Sequence, residues 1–378
     1  MGDVMRVFVI AGEVSGDMLG GAVMAGLREL RPDITFAGVG GPQMQAQGLV
    51  SLFPMNDLSV MGVAEVLPKY FHLKRRIREA ADAALAFQPD ILLTIDSPDF
   101  CLRVAKIVRA ADPAIRTVHY VAPSVWAWRP KRAVKMARVI DQVLALLPFE
   151  PPYMTAVGME CDFVGHPIST VAIADADEAA AYRAGIGAGP MVLVLPGSRR
   201  GEVERLSERF GAAVALFAKT HPDARFVLPV APPVVDLVRE KAAAWPVQPH
   251  LVFDADEKAL AFRAADLALA ASGTVSLELA ANQTPMVIAY DMGWISRRLI
   301  GALLRIDTVT LVNLVSETRT IPEFIGDACQ PEPIAAAMGQ VLADPQAQRD
   351  AMALTMQRLG QGGEPPGLRA ARAILARA

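Results

Sequence analysis

The chain is poor in cysteine, in histidine and in net charge: its 378 residues include 3 Cys and 5 His and carry a formal charge of −3. Cys101, Cys161 and Cys329 lie far apart with no Cys-x-x-Cys pair, which excludes a disulfide framework and a zinc knuckle and fits a reducing cytoplasm. With 37 Lys and Arg against 40 Asp and Glu, the chain as a whole is not a polyelectrolyte built for nucleic acid. Long apolar runs are also missing. The longest uncharged stretch, Ile34 to Asn56, is broken by Pro42, three glutamines and four glycines, so it is no membrane span. Val7 to Ala11 is too short for a secretory segment and reads as a strand. Any membrane contact is expected to be peripheral.

What is present is a globular composition, 53% hydrophobic and 20% charged, with 28 Gly and 28 Pro, long enough for about two domains. Charge is unevenly spread. Residues 60–138 hold 14 basic residues against 7 acidic ones, a local surplus of +7. Short β-branched runs alternate with longer helical patterns: Arg6 to Ala11, Ile91 to Ile95, Thr117 to Val121 and Gln142 to Leu146, then, after a pause around Gly165 to Ala188, Met191 to Leu195, Arg225 to Val230, Leu251 to Phe253, Leu267 to Ala270 and Met286 to Ala289. That rhythm predicts α/β architecture with parallel sheets in two similar Rossmann-like domains facing a cleft, 1–168 and 169–345, followed by C-terminal helices over 346–378 that pack back on an N-terminal domain, their own or a partner's.

Several strand ends carry chemistry. Ala11-Gly12-Glu13-Val14-Ser15-Gly16-Asp17 is a glycine-bearing turn into a helix, without the G-x-G-x-x-G spacing of a dinucleotide site, and is open to tight-turn architecture or ligand contact. Asp96 follows the apolar run Ile91 to Ile95, the position from which such sheets present catalytic groups, whereas Asp99 reads as a first-turn helix residue. Trp126 and Trp128 share one loop with Arg129, Lys131 and Arg132, which suits a sugar-stacking wall or a membrane interface, or a core anchor for one of them. In the second half, Gly197-Ser198-Arg199 and Ser272-Gly273-Thr274 both follow strands and precede helices, and together predict a nucleotide diphosphate site, with Glu278 placed to accept from ribose hydroxyls. Asp175-Ala176-Asp177 and Asp254-Ala255-Asp256 read as helix caps, not metal ligands, and His166 has no second histidine at ligand spacing.

As a set, these segments, with Gly38 to Met44, His119 to Val121, Pro123 to Trp128, Leu147 to Glu150 and Gly165-His166-Pro167, resemble the lipid-A-disaccharide synthases, in order and over nearly the whole chain. The resemblance implies a GT-B type inverting glycosyltransferase. It would move 2,3-diacylglucosamine from its UDP derivative to the 6-hydroxyl of 2,3-diacylglucosamine 1-phosphate, giving a β-1,6 disaccharide and UDP. It also implies an N-terminal acceptor domain, a C-terminal UDP-sugar domain, a peripheral place on the inner face of the inner membrane, no nucleic acid partner, no cofactor or metal, and a homodimer with exchanged C-terminal helices. By the same resemblance Asp96, Arg199 and Asn313 take catalytic positions. Gly197, Ser198, Ser272, Gly273, Thr274 and Glu278 are expected to hold the UDP-sugar, and Gly12, Glu13 and Ser15 the acceptor. The chain departs from the family at Asp291, where the family has Arg; Arg297 and Arg298 are the alternative cations.

For the acyl chains, the segment Val60 to Arg78 offers an apolar, cation-rimmed surface through Met61, Val63, Leu67, Lys69, Tyr70, Phe71, Lys74, Arg75 and Arg76, a pattern that serves equally for an ordinary surface helix. Trp294 with Arg297, Arg298 and Arg305 is a second such surface. Two rival readings share the nucleotide site: a UDP-sugar 2-epimerase or other GT-B transferase with a soluble substrate, which would gain nothing from the basic segment, and a binding module without catalysis, for which Asp96→Asn would change only stability.

Overall fold

The computed structural model describes residues 4–58, 63–292 and 306–377, with residues 63–70 described by backbone alone. Met61, Trp294, Arg297, Arg298 and Arg305, and the side chains of Val63, Leu67, Lys69 and Tyr70, lie outside the described residues. The chain divides into two compact units, Met1–Thr170 with Gly362–Ala378, and Val171–Gln361.

The first unit runs β1 (Arg6–Ala11), α1 (Val14–Leu30), β2 (Thr35–Val39), α2 (Pro42–Ala46), α3 (Val63–Phe87), β3 (Ile91–Ile95), α4 (Pro98–Ala111), β4 (Arg116–Tyr120), α5 (Lys131–Met136), β5 (Gln142–Ala145), α6 (Pro151–Thr155) and β6 (Glu160–Phe163). The strands pair in parallel in the order β2-β1-β3-β4-β5-β6. β3 is buried at every residue because helices cover both faces of the sheet, which is why Ile91-Leu92-Leu93-Thr94-Ile95 shows no polar alternation. Its one polar side chain is satisfied: the Thr94 hydroxyl donates to Val118 O at 3.1 Å.

The second unit runs α7 (Ala176–Ile186), β7 (Met191–Leu195), α8 (Arg200–Thr220), β8 (Arg225–Pro229), α9 (Val235–Ala243), β9 (His250–Val252), α10 (Ala255–Ala264), β10 (Leu267–Ala270), α11 (Val275–Ala281), β11 (Met286–Tyr290), a helix Leu311–Ser316, β12 (Glu323–Ile325), and helices Pro331–Ala343 and Gln346–Arg358. Its parallel sheet has the order β12-β11-β10-β7-β8-β9. Each sheet starts in its interior and builds outward on both sides, so each has a point where strand order reverses: β1 beside β3, and β7 beside β10. At such a point the loops beyond the strand ends diverge and leave a crevice.

The C-terminal segment divides differently from the expected boundaries. Helix Gln346–Arg358 stays with the second unit, packed on Leu311–Ser316 and α11. There Gln348 accepts from Met286 N at 2.7 Å and donates to Met286 O at 3.0 Å. Only Pro366–Leu375 returns to the first unit, so the break falls after Gln361 and not at residue 346. Gly360 to Gly363 and Pro365-Pro366 supply the reason, since no helix continues through them. The returning helix lies against α1 on glycines: a Cβ at Gly26 would sit 2.9 Å from Gly367 O, and one at Gly367 would sit 2.6 Å from Ala22 O.

Candidate active site

In the first unit, β1 and β3 deliver Gly12 and Asp96 to the same reversal point. Asp96 and Ser97 both take left-handed backbone, with φ of 52° and 42°, a conformation that costs a non-glycine residue about 1 kcal/mol or more. The kink is held by Asp96 N–H donating to Tyr120 O at 3.0 Å and by Asp96 Oδ1 accepting from Ser97 N at 2.8 Å. At the end of the neighbouring strand Val121 is also left-handed, φ 84°, an outlier for a β-branched side chain. Strain is thus concentrated at the carboxyl ends of β3 and β4. Asp96 is half-buried there, and Asp99 is exposed at the start of α4 beside Arg132 at 3.3 Å. A Cβ at Gly12 would lie 2.6 Å from Ser97 Oγ, so Gly12 is where this turn and the β3 turn approach closely. Glu13 is half-buried and Ser15 exposed on the first turn of α1.

Beneath this rim are buried polar groups that composition alone left unranked. His119 lies 2.8 Å from Thr94 Oγ1 by its Nδ1, and burial pushes its pKa down to about 4, so it is a neutral interior strut. Trp126 donates through Nε1 to Glu150 Oε1 at 3.3 Å and packs edge-on against Phe149 at 5.1 Å. Glu150 also accepts from Leu147 N at 2.9 Å, yet burial outweighs these bonds and lifts its pKa to about 7. Trp126 is therefore the inward anchor of its loop, while Trp128 stacks with Arg129, 4.1 Å from ring centroid to guanidinium. Burial likewise lowers the pKa of His166 to about 4, with Nδ1 accepting from Ile168 N at 3.1 Å.

In the second unit the two predicted motifs line one cavity of about 530 Å³. Gly197-Ser198-Arg199 follows β7 and Ser272-Gly273-Thr274 follows β10, with Glu202, Lys258 and Glu278 on the same wall. Gly197 has φ 115°, which only glycine adopts at low cost. Arg199 is the N-cap of α8, a helix of 21 residues. Gly273 faces open space, with no atom within 4 Å of where a Cβ would stand. Glu278 is in ion-pair contact with Lys258 at 2.9 Å, which orients its carboxylate along the wall. Sequence reading missed the apolar part of the lining, Pro229 to Pro232 with Phe253 and Phe262. The first two of these follow β8 and β9, so the rule that ligands meet strand ends contained the signal.

Asn313 lies inside the second unit, not on the cavity wall: its amide donates to Ile321 O at 2.9 Å and Thr308 Oγ1 at 3.2 Å and accepts from Ile321 N at 3.0 Å. Asp291, the point of departure from the family, is buried and ion-paired with Arg209. Asp175 and Asp254 are N-caps as expected, Asp175 accepting from Asp177 N and Glu178 N and Asp254 from Asp256 N and Glu257 N, at 2.8 to 3.2 Å.

The basic segment is less cationic than its sequence suggests, because acids outside it reach in. Arg76 is bound to Asp57 at 2.6 Å and Glu79 at 2.8 Å and lies over Phe53, so it faces inward and does not belong to an outer contact surface. Arg109 pairs with Asp141 and Arg116 with Glu160. On the described side chains of α3, Phe71, Lys74 and Arg75 face outward, as do Arg78, Asp82 and Ala86, with Phe71 81% exposed, while Ile77, Ala80, Ala81 and Ala84 enter the core. Among the described residues no helix is long and apolar enough to cross a membrane.

The fold is that of GT-B type nucleotide-sugar enzymes. It is similar to a UDP-GlcNAc 2-epimerase from Neisseria meningitidis bound to UDP-GlcNAc, with TM-score 0.61 over 98% of this chain and 99% of that one at 13% identity, and to MurG of Acinetobacter baumannii, with TM-score 0.56 over 98% of each at 13% identity. Sequence narrows the class. The family model for lipid-A-disaccharide synthetase matches residues 7–373. The lipid-A-disaccharide synthase of Ruegeria pomeroyi is 63% identical over 100% of this chain and 96% of its own length, and that of Rhodospirillum centenum 45% identical over 98% and 94%. The chain belongs to the lipid-A-disaccharide synthase family of glycosyltransferases.

Proposed function

We propose that this lipid A disaccharide-forming glycosyltransferase moves 2,3-diacylglucosamine from UDP-2,3-diacylglucosamine to the 6-hydroxyl of 2,3-diacylglucosamine 1-phosphate, with inversion, releasing UDP. The observation that carries the reading is the convergence of Gly197 to Arg199 and Ser272 to Thr274 on one cavity whose other wall is apolar. Backbone N–H groups at the α8 N-terminus and the Arg199 guanidinium match a diphosphate. Glu278 matches a ribose, and the Pro229 to Pro232 and Phe253 wall matches the flat face of a base.

Inversion requires attack on the anomeric carbon from the side opposite UDP. The 6-hydroxyl proton passes to Asp96, the hydroxyl oxygen bonds the anomeric carbon, and the carbon–oxygen bond to the diphosphate breaks with its electron pair leaving on UDP. Arg199 and the two turns offset the charge that grows there. Asn313 acts by positioning, holding residues 308–321 through its amide. The outer face of α3, with Phe71, Lys74 and Arg75, meets the anionic inner leaflet from which both acylated substrates are drawn.

The test is an assay of disaccharide and UDP formation in mixed micelles of both acylated substrates. The unaltered chain is expected to form disaccharide, and Asp96→Asn to lose at least about a hundredfold in rate while still binding UDP, the scale set by loss of a general base. No disaccharide from the unaltered chain sinks the substrate assignment. Equal rates for Asp96→Asn sink the base. Epimerisation of a UDP-sugar without acceptor would favour the soluble-substrate rival.

A further inference from the structure

Glu202 is a buried carboxylate in the wall of the nucleotide cavity, 8% exposed. Its Oε2 accepts from the backbone N–H groups of Ser198 at 3.1 Å and Arg199 at 3.3 Å, and its Oε1 accepts from Arg199 Nη1 at 3.3 Å. These are the same donors that the proposed reaction assigns to the diphosphate. The turn is shaped around this carboxylate: a Cβ at Gly197 would lie 2.6 Å from both Glu202 Cβ and Oε2. An anion of the chain's own therefore occupies the anion-binding turn. Arg199 is held loosely enough to change partners, its side chain being 66% exposed against 11% for Glu202.

A carboxylate and a diphosphate cannot both hold these donors without like-charge repulsion. We propose that Glu202 is an internal displacer: its carboxylate holds the Gly197 to Arg199 turn before the nucleotide enters, yields Arg199 and the two N–H groups to the diphosphate, and reclaims them as UDP departs. The inference rests on the nucleotide reading above and deepens it. Such an exchange keeps UDP affinity below what the bare donors would give and assists release of a product that would otherwise dwell. Glu202 is a positioning residue by this account, since it acts on substrate through Arg199.

Glu202→Gln separates this role from simple bracing of the turn. Its amide oxygen still accepts from the Ser198 and Arg199 N–H groups, while its NH2 faces the guanidinium and frees it. Calorimetric titration with UDP is expected to show binding about tenfold tighter than in the unaltered chain, corresponding to ~1.4 kcal/mol, with product inhibition by UDP strengthened by the same factor. Glu202→Ala is expected to bind UDP more tightly too, because the N–H groups it orphans are the diphosphate's own ligands; it carries the test if Glu202→Gln does not fold. UDP binding that is unchanged or weaker in these variants overturns the displacer role and leaves a brace. Failure of the unaltered chain to bind UDP overturns the nucleotide reading and this inference together.

Discussion

Glu150 shows how one residue can tie stability to pH. Its carboxyl is buried beside Trp126, and its pKa is raised to about 7 from an ordinary 4.5. A raised acid binds its proton more firmly when folded than when unfolded, so stability is greatest below the unfolded pKa and falls as pH rises towards 7, after which the penalty is constant. The span of the loss is about 3 kcal/mol at 1.36 kcal/mol per pKa unit. Glu150→Gln cannot ionise. Urea unfolding of the two forms at pH 5 and pH 8 is expected to show Glu150→Gln gaining about 2–3 kcal/mol relative to the unaltered chain between these values; a constant difference would mean that Glu150 is solvated. Residues at strand ends were legible because topology fixes their place: Asp96, Arg199 and Ser272 are where the run of apolar residues stops. Glu202 was not, since a glutamate three residues into a helix reads as a capping partner, and only the distances to Ser198 and Arg199 reveal what else it holds. The partner of Asp291 was equally out of reach of the sequence: Arg209, its counter-charge, is 82 positions away.

Among elements, α1 and α3 were legible as helices but not in what they hold. The first turn of α1 carries Asp17, whose buried carboxylate accepts from Gly41 N at 2.8 Å, Gln43 N at 2.9 Å and Met44 N at 3.0 Å and so fixes α2 from another helix. Nothing local in Ser15-Gly16-Asp17 announces that. Strands β6 and β12 also escaped reading, being edge strands of four and three residues with half-buried patterns. For α3 the apolar and basic residues were visible, but not their sorting between core and solvent, which depends on Asp57 and Glu79 capturing Arg76. The outer face gives its own prediction. Cations near an anionic surface contribute about 1 kcal/mol each, so reversing both Lys74 and Arg75 to Glu is expected to cut partition onto anionic vesicles by about tenfold or more. The melting temperature should stay put, because both side chains are exposed. Partition unchanged by the reversal would remove α3 from the membrane account.

At the scale of the molecule, the repeated α/β rhythm made both sheets readable, whereas the division of the C-terminal region was not, because Gln346–Arg358 and Pro366–Leu375 both read as helices and nothing local says that they pack on different units. Every wall of the cavity proposed for the nucleotide comes from Val171–Gln361. That continuous fragment, made alone, is expected to unfold cooperatively and to bind UDP within about threefold of the intact chain, a difference under ~0.7 kcal/mol. Loss of UDP binding by a folded fragment would show that the cavity is incomplete without the first unit.

The first unit has no such independence in time. The face of α1 that holds Val23, Gly26 and Leu27 waits for Ala370, Ala371 and Ile374, which lie in the last turns of the chain. At a ribosomal pace of roughly 5–20 residues per second, the whole second unit is synthesised in between. For that interval the nascent α1 carries an uncovered apolar stripe, and a chain stalled or clipped before Pro366 leaves its oldest part unfinished.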